Sequence, residues 1–380
     1  MAGPVEIHGV CDERFRSIRD ALAANFGNGL EIGASVSVIW RGETAVDLWG
    51  GLADRARTRP WERDTIVQVF SISKIMLVLC MMMLVDRDQL DLDAPVARYW
   101  PEFGQGNKDR VTVRQALTHQ AGVPGFRPPV SFEDLHDWDA ITAQVAAMPH
   151  WFGGETTLCY HPVTLGYILG EILRRIDGRD IATFAREEVT SRIGADFQLG
   201  PINPADVARV AEPSFLPPGP DYEMPGPFTD SILASVGLGD WMSPERLSAL
   251  IPASNCYANG RSIARLCSVF AGSGVAAGQC ILSAEMVREV GREQVAGEDR
   301  FLGPIRYGMG LGIDNPGFPA PTPTCFHWGG YGGSWGIMDP VTQVAFGYAQ
   351  NVLDFGGGTI TPRLAGFHQA LTDILPGLTP

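Results

Sequence analysis

Apolar and polar residues recur along the chain with two different periods, and these periods predict helices and strands. Over residues 11–26, apolar side chains stand three or four positions apart, which predicts an amphipathic helix. Two strand-like runs follow at 34–40 and 44–49, and the Arg-Gly-Glu stretch between them predicts a hairpin turn. Residues 75–85 are apolar throughout, so they predict a fully buried helix that is too short to cross a bilayer.

Strand-like patterns return near the C-terminus. Residues 333–338 and 343–349 are rich in apolar and aromatic side chains, and the sequence Asp-Pro-Val-Thr between them predicts a turn. Residues 362–375 predict a closing helix, whereas the Pro- and Gly-rich residues 213–227 predict an extended loop. The long region between the two sets of strands shows mainly helical patterns.

This order of elements predicts an α+β fold. An antiparallel sheet would be built from both termini and flanked by helices, because strands cluster at the two ends of the chain. Residues 1–91 and 294–380 are expected to form this α/β lobe. Residues 92–293 are expected to form a second, mostly helical lobe inserted between its two halves.

The composition is that of a globular protein, and it narrows the range of partners. The chain has 380 residues, of which 45% are hydrophobic and 19% charged, so it can bury a large core. Its net charge of −14 leaves no basic patch for phosphate groups. We therefore expect neither nucleic acid nor an anionic membrane as a partner, and nothing in the sequence indicates an oligomeric state.

The cysteines and histidines indicate no metal ion or other cofactor. The seven cysteines are scattered and form no C-x-x-C pair, which predicts free thiols rather than a zinc site or a disulfide framework. The seven histidines show no H-x-x-x-H spacing. The first residues contain no basic stretch followed by an apolar run, so we expect no secretory signal and a cytoplasmic location.

The distribution of basic residues singles out one position. Only two of the 29 basic residues are lysines, Lys74 and Lys108, in a chain that otherwise uses arginine. Lys74 lies three residues after Ser71, a spacing that brings both side chains onto one face of a helix. Burial would lower the pKa of the amine and make it available as a base, which a guanidinium cannot be. A helix N-cap serine followed by a lysine that reaches the surface explains the same spacing, so both interpretations stay open at this point.

Several short motifs elsewhere occur in an order that one superfamily shares. VFSISK at 69–74 contains an S-x-x-K motif, and YHP at 160–162 precedes a helical pattern. LDLDAPV at 90–96 and TVRQALTH at 112–119 lie between them, and WGG follows at 328–330. Together these motifs resemble the class C-like branch of the serine β-lactamase and penicillin-binding-protein superfamily. WGG stands where penicillin-recognising members carry K-T-G, and this variant is typical of family VIII carboxylesterases and of related acyltransferases.

The resemblance implies a β-lactamase/transpeptidase-like fold with an active site between the two lobes, and it implies the hydrolysis of carboxylic esters. Ser71 would be the nucleophile that forms an acyl-enzyme, with Lys74 accepting or relaying its proton. Tyr160, at the position of the branch's Y-x-N motif, would be general base and acid, kept partly ionised by Lys74. His161 beside it is expected to be a loop histidine.

The resemblance also implies roles for the surroundings of the nucleophile. The backbone N–H groups of Ser71 and Tyr331 would form the oxyanion hole. Trp328 would line the substrate pocket, and Gly329 and Gly330 would let the substrate approach the backbone. The ligand would be a small-molecule ester.

Two departures from the family pattern favour esters over β-lactams. Pro162 replaces the asparagine of Y-x-N, and it is also expected to begin the following helix. Trp328 replaces the lysine of K-T-G, which normally pairs with the carboxylate of a β-lactam. Arg127 or Arg306 would weaken this interpretation if either one supplied the missing charge in the cleft.

A second serine motif competes with Ser71. Residues 332–336 read G-x-S-x-G around Ser334, and Asp354 and His368 follow in the order of an α/β-hydrolase triad. That motif requires a helix after the serine, whereas the pattern after Ser334 predicts a strand. We therefore reject it.

Other functions stay open alongside ester hydrolysis. Within the superfamily they are a β-lactamase, a D-Ala-D-Ala peptidase, an amide hydrolase and an acyltransferase. A non-catalytic scaffold with the same fold belongs to a different class, and the joint presence of Ser71, Lys74 and Tyr160 argues against it.

Overall fold

The computed structural model describes residues 5–215, 242–354 and 360–378, and its long strands lie near both ends of the chain. In chain order the strands are β1 (Ile7–Cys11), β2 (Gly33–Trp40), β3 (Glu43–Gly51), β4 (Val67–Gln68), β5 (Gln198–Leu199), β6 (Ser214–Phe215), β7 (Cys256–Ala258), β8 (Val275–Ala276), β9 (Gln279–Cys280), β10 (Val295–Asp299), β11 (Gly303–Tyr307), β12 (Phe326–Gly329), β13 (Trp335–Asp339), β14 (Val344–Gln350) and β15 (Val352–Leu353).

The helices occupy mainly the middle of the chain. In chain order they are α1 (Arg16–Gly27), α2 (Ser73–Asp86), α3 (Val113–Leu117), α4 (Trp138–Ala147), α5 (Thr164–Asp177), α6 (Ile181–Ala185), α7 (Ser191–Ile193), α8 (Pro244–Ser248), α9 (Gly260–Ala271), α10 (Ala284–Gly291) and α11 (Pro362–Ile374). Within the described ranges, no helix combines the length and the apolarity needed to cross a membrane.

A six-stranded antiparallel sheet joins the two ends of the described chain. Its strand order is β1-β3-β2-β14-β13-β12, and the centre of the sheet pairs Ser35 of β2 with Ala349 of β14. β2 and β3 form the predicted hairpin. The predicted antiparallel sheet from both termini is therefore confirmed.

Helices cover both faces of this sheet. α1 and α11 pack together on one face, where alternate side chains of the strands point, among them Val36, Val38 and Phe346. α9 packs on the other face against β2, β13 and β14. The backbones of α9 and β14 lie close together, since a Cβ on Gly347 would lie 2.3 Å from the carbonyl oxygen of Gly260. The sheet is thus the middle layer between two layers of helix.

The helix predicted from the apolar run is α2, and it is buried on all sides. Every residue from Ser73 to Leu84 is buried, including Lys74. α2 packs against α5, α6 and α9, so neighbouring helices rather than solvent surround it. A helix without a polar face needs such an environment.

Several element boundaries differ from those predicted. The helix expected over 11–26 is preceded by a strand, β1, and α1 begins only at Arg16. Three of the five residues of β1 are exposed, so the sequence shows no apolar pattern that predicts a strand there. β1 is a strand because it pairs with β3. The strand expected from residue 333 begins at Trp335. The helix expected to begin at Pro162 begins at Thr164.

The division into two lobes stays a prediction. α9 lies within residues 92–293, which were expected to form the helical lobe, yet it packs on the sheet. In the predicted loop 213–227, Ser214–Phe215 forms a short parallel pair with β15. Residues 216–227 lie outside the described part of the chain.

Candidate active site

Ser71 lies just before α2, in a turn with unusual backbone geometry. β4 leads into a 3₁₀ turn over Phe70–Ile72, and Phe70 has a left-handed φ of 49°. This conformation costs a non-glycine residue about 1–2 kcal/mol, which the surrounding contacts must offset. Phe70 and Ile72 are buried, whereas Ser71 is partly exposed. The turn therefore presents the Ser71 hydroxyl at the surface of a buried segment, outside the helix in which the sequence pattern placed it.

Lys74 is completely buried one turn later, and its Nζ contacts three oxygen atoms. Nζ lies 3.1 Å from Ser71 Oγ and 2.9 Å from the carbonyl oxygens of Pro162 and Ala253. Burial lowers the pKa of Lys74 to about 7. Carbonyl oxygens can only accept hydrogen bonds, so a neutral amine gives its two N–H groups to them. Its lone pair is then left for the Ser71 hydroxyl.

The hydroxyl of Tyr160 is the third group at this point. Tyr160 Oη donates to Ser71 Oγ at 2.9 Å, and Lys74 Nζ lies 4.8 Å from the centre of the Tyr160 ring. Burial raises the pKa of Tyr160 well above its ordinary value. This direction is opposite to the partly ionised tyrosine expected from the sequence, because the loss of hydration on burial outweighs the hydrogen bond to Ser71 that favours the phenolate. Tyr160 is therefore held as a neutral phenol.

Two residues that the sequence analysis did not select hold the backbone around Tyr160. Asp299 Oδ1 accepts a hydrogen bond from the Tyr160 N–H at 3.0 Å. His119 accepts from both neighbours, through its carbonyl oxygen from Cys159 at 3.1 Å and through its ring Nδ1 from His161 at 3.1 Å. Three consecutive N–H groups are thus bound by side chain or backbone from other parts of the chain.

Trp328 forms a wall beside Tyr160 and exposes little surface. It is 7% exposed, and its ring centre lies 5.7 Å from that of Tyr160 and 5.9 Å from that of Tyr307. The ring of Phe301 flanks Tyr160 as well, at 5.8 Å. The structure thus brings Trp328 to Tyr160, and most of the surface of Trp328 packs against protein.

Of the two glycines after Trp328, Gly330 is required by the backbone that leads to Ser71. A Cβ on Gly330 would lie 2.1 Å from the carbonyl oxygen of Val69 and 2.3 Å from Ser334 Oγ. A Cβ on Gly329 would meet its nearest atom at an ordinary 3.6 Å. Gly330 is therefore needed for close packing inside the protein, in addition to any approach of a substrate.

Tyr331 follows in the turn between β12 and β13, next to the residue that precedes Ser71. It is 39% exposed, and its ring lies edge-on to that of Phe70 at 5.6 Å. The next carbonyl, that of Gly332, accepts hydrogen bonds from Gln350 at 2.7 Å and from the buried Arg363 at 3.0 Å. These bonds hold the turn in place. The oxyanion role of the Ser71 and Tyr331 N–H groups stays a prediction.

The competing serine, Ser334, is engaged in packing. It is 2% exposed, and its hydroxyl donates to the Val69 carbonyl at 3.1 Å. β13 follows it at once, so the helix that a nucleophile elbow requires is not there. His368 Nε2 lies 3.1 Å from a backbone carbonyl oxygen of the loop before β12, and Asp354 lies 3.8 Å from Arg363. The three side chains thus have separate partners.

The two arginines considered as substitutes for the missing lysine have partners of their own. The Arg127 guanidinium lies 3.5 Å from the centre of the Trp151 ring. Arg306 donates to the Glu293 carboxylate at 2.8 Å. All seven cysteines are free thiols. In residues 5–215, 242–354 and 360–378, no group of three His, Cys, Asp or Glu side chains is arranged to hold a metal ion.

Solved structures with the same architecture define the class of fold. A structure described as a family VIII carboxylesterase superimposes with a TM-score of 0.90 at 35% identity, covering 97% of this chain and 100% of the other. A penicillin-binding-protein homologue from Caulobacter crescentus gives a TM-score of 0.86 at 34% identity, with 98% and 100% covered. The predicted β-lactamase/transpeptidase-like α+β fold is confirmed.

Sequence comparison identifies the family. Residues 22–367 match the family model described as Beta-lactamase. The chain is 32% identical over 368 residues to the esterase/beta-lactamase LipL of Mycobacterium tuberculosis. This alignment covers 91% of this chain and 83% of LipL. It is 38% identical over 181 residues to the esterase EstB of Burkholderia gladioli, and this alignment covers 43% of this chain and 45% of EstB. The chain belongs to the beta-lactamase family.

Proposed function

We propose that the protein is a carboxylesterase that hydrolyses small-molecule esters through an acyl-enzyme on Ser71. The observation that carries the proposal is the set of hydrogen bonds at Ser71 Oγ, which lies 3.1 Å from Lys74 Nζ and 2.9 Å from Tyr160 Oη. The relatives LipL and EstB and the family VIII carboxylesterase, by their names, support esters as the substrate class.

Acylation begins with the neutral amine of Lys74. Because two carbonyls take its N–H groups, its lone pair accepts the proton of Ser71 as Oγ bonds to the carbonyl carbon of the ester. The carbonyl oxygen becomes negatively charged in this step. Backbone N–H groups of Ser71 and Tyr331 would stabilise that charge, at about 3 kcal/mol for each donor.

The remaining steps return the proton and release both products. Tyr160 gives its proton to the alcohol oxygen as the C–O bond breaks, and the Lys74 ammonium restores the proton to Tyr160. A water molecule then attacks the acyl carbon while its proton moves by the same groups in reverse. The acid leaves, Ser71 regains its proton, and one ester and one water have become one acid and one alcohol.

The surroundings of the site support an ester rather than a β-lactam. Penicillins carry a carboxylate that is costly to leave unpaired in a cleft. Trp328 offers no cation at the position of the family's lysine. Pro162 offers no side-chain amide at the position of the family's asparagine, and its contact with Lys74 is made by its backbone carbonyl. Arg127 and Arg306 are engaged elsewhere.

Two measurements test the proposal, the first of them on a single preparation of the wild type. The ratio kcat/KM should be much higher for p-nitrophenyl butyrate than for nitrocefin, and equal or better hydrolysis of nitrocefin would make the protein a β-lactamase. A fluorophosphonate should add one adduct, seen by intact-mass measurement, in the wild type and in Ser334→Ala but not in Ser71→Ala. An unlabelled wild type would indicate a non-catalytic scaffold.

We also propose a cytoplasmic location. The supporting observation is that all seven cysteines are unpaired, since free thiols persist in reducing compartments. Fractionation of cells of the source organism tests this proposal. Recovery of the protein mainly from the extracellular or periplasmic fraction would contradict it.

A further inference from the structure

His119 contacts the backbone on both sides of Tyr160. It lies two residues after the end of α3 and is completely buried. Its carbonyl oxygen accepts from the Cys159 N–H at 3.1 Å, and its ring Nδ1 accepts from the His161 N–H at 3.1 Å. The Tyr160 N–H goes to Asp299 instead. One residue therefore holds the segment before and after the catalytic tyrosine.

The bond to His161 determines which ring nitrogen carries the proton. Nδ1 accepts this bond, so the proton of the neutral imidazole is on Nε2. Burial, together with the nearby His161 and Lys74, lowers the pKa of His119 well below its usual value, which keeps the ring neutral. Nε2 has no hydrogen-bond partner within the described residues. The hydrogen bonding of the ring is thus directed to the tyrosine segment.

The ring of His119 also packs against the ring of Tyr160. Their centres are 4.7 Å apart, and Tyr307 and Trp328 complete the surroundings at 5.2 Å and 6.3 Å. The backbone of His119 is left-handed, with a φ of 62°. Glycine or asparagine would end α3 in this conformation at lower cost, so the helix end alone does not explain a histidine here.

We propose that His119 is a positioning residue for Tyr160. It acts through the ring acceptor Nδ1, which accepts the bond from the His161 N–H and so fixes the segment that carries Tyr160. The bond from Tyr160 Oη to Ser71 Oγ is 2.9 Å long, so a small movement of the segment would lengthen it beyond a useful distance. This inference rests on the proposed function, because it assigns His119 a part in the same reaction.

Three substitutions of His119 separate the ring acceptor from the backbone geometry. His119→Asn places an amide oxygen near the position of Nδ1 and tolerates a positive φ. His119→Leu fills a similar volume without an acceptor. His119→Gly relaxes the backbone without an acceptor, and it replaces the Leu variant if that one does not fold. His150→Leu is the matched control. The ring Nδ1 of His150 is buried and accepts a hydrogen bond from the Phe152 N–H at 3.1 Å, and this variant removes that bond.

We expect the Leu and Gly variants to lose about tenfold or more in kcat on p-nitrophenyl butyrate, with KM within about twofold, and the Asn variant to stay within about threefold of the wild type. The His150→Leu control should keep its kcat. Wild-type kcat in the Leu and Gly variants, or an equal loss in the Asn variant, would overturn the proposal.

Labelling of Ser71 separates this proposal from the proposed function. The rate of fluorophosphonate labelling should fall in the Leu and Gly variants and recover in the Asn variant, whichever substrate the protein cleaves. A wild type that labels but cleaves no ester would contradict the esterase proposal alone. Equal labelling rates in all three variants would contradict the role of His119 alone.

Discussion

The two lysines of this chain are both buried, yet they differ in the groups that their amines contact. Lys108 Nζ donates to three carbonyl oxygens, those of Gln105 at 2.9 Å, Ala146 at 3.1 Å and Met148. Lys74 Nζ has two carbonyl oxygens and, as its third partner, the hydroxyl of Ser71 at 3.1 Å. Burial lowers the pKa of both, to about 8 and about 7 respectively.

The third partner decides what each amine can do. Carbonyls accept only, so deprotonation of Lys108 would leave one of its three carbonyls without a donor. A hydroxyl can both donate and accept, so Ser71 can give its proton to a neutral Lys74 without leaving a group unpaired. The scarcity of lysine in the sequence therefore indicates buried amines. The hydroxyl partner allows Lys74 to act as the proposed base, whereas the three carbonyl partners make Lys108 a link between Gln105 and the end of α4.

Arginine at each lysine position tests this comparison most strongly. Lys74→Arg should lower kcat/KM by about a thousandfold or more, because a guanidinium cannot accept the proton of Ser71. Lys108→Arg should leave kcat/KM within about twofold and lower the free energy of unfolding by about 1–3 kcal/mol, because the larger side chain must fit a packed site. Steady-state kinetics and urea unfolding measure the two effects.

Each arginine variant also has an outcome that breaks the comparison. A Lys74→Arg protein with most of its activity would make Lys74 an electrostatic support and leave Tyr160 as the only base. A folded Lys108→Arg protein with a large loss of kcat would show that Lys108 contributes to the reaction too.

Tyr160→Phe sharpens the comparison at the hydroxyl itself. Tyr160 Oη donates to the same Ser71 Oγ that Lys74 contacts, so its removal leaves the lysine in place and deletes only the second proton carrier. We expect kcat to fall about a hundredfold or more with normal folding. Assay on p-nitrophenyl acetate with circular dichroism as the folding control measures this. Near-wild-type rates would reduce Tyr160 to a packing residue.

Much of the fold and the centre of the site were predictable because they depend on local pattern. The apolar run that became α2 and the hairpin of β2 and β3 each satisfy one periodicity. The S-x-x-K spacing is also local, so Ser71 and Lys74 meet even though the serine lies in a 3₁₀ turn rather than in the helix. One turn of either geometry brings positions three apart together.

What the sequence did not predict depends on backbone atoms and on distant contacts. Pro162 and Ala253 bind Lys74 through carbonyl groups, which every residue has, so no residue type marks them. His119 and Asp299 reach Tyr160 only after folding. For Asp299, the bonds to the N–H groups two and three residues later form a turn that a sequence pattern can suggest, but the bond to Tyr160 is not local.

Gly330→Ala tests whether the backbone holds the Ser71 hydroxyl within reach of Lys74. The added Cβ would lie 2.1 Å from the Val69 carbonyl, so either the turn or the segment before Ser71 must shift. We expect kcat/KM to fall about tenfold or more. Gly329→Ala, with a nearest contact of 3.6 Å, should give a clearly smaller loss, and Gly27→Ala in α1, with no atom within 4 Å, serves as the control for the substitution itself. Equal losses at Gly329 and Gly330 would contradict this explanation.

The pH dependence is the smallest of the expected effects, and it separates the roles of the two amines. The reaction needs neutral Lys74, so kcat/KM should rise with pH through a midpoint of about 7, since this ratio reports the free enzyme. Between pH 6 and pH 8 the neutral fraction of Lys74, and with it the rate, should grow about tenfold.

Lys108 should leave the rate unchanged and affect stability. Because the folded pKa of about 8 lies below that of the unfolded chain, the unfolded state binds more protons above pH 8, and the free energy of unfolding contributed by Lys108 should rise with pH there. Lys108→Arg should therefore keep the kinetic midpoint and lose this part of the stability profile. A rate that stays flat from pH 6 to pH 8 would contradict the role of Lys74 as the base. A kinetic midpoint that moves when Lys108 is replaced would contradict a purely structural role for Lys108.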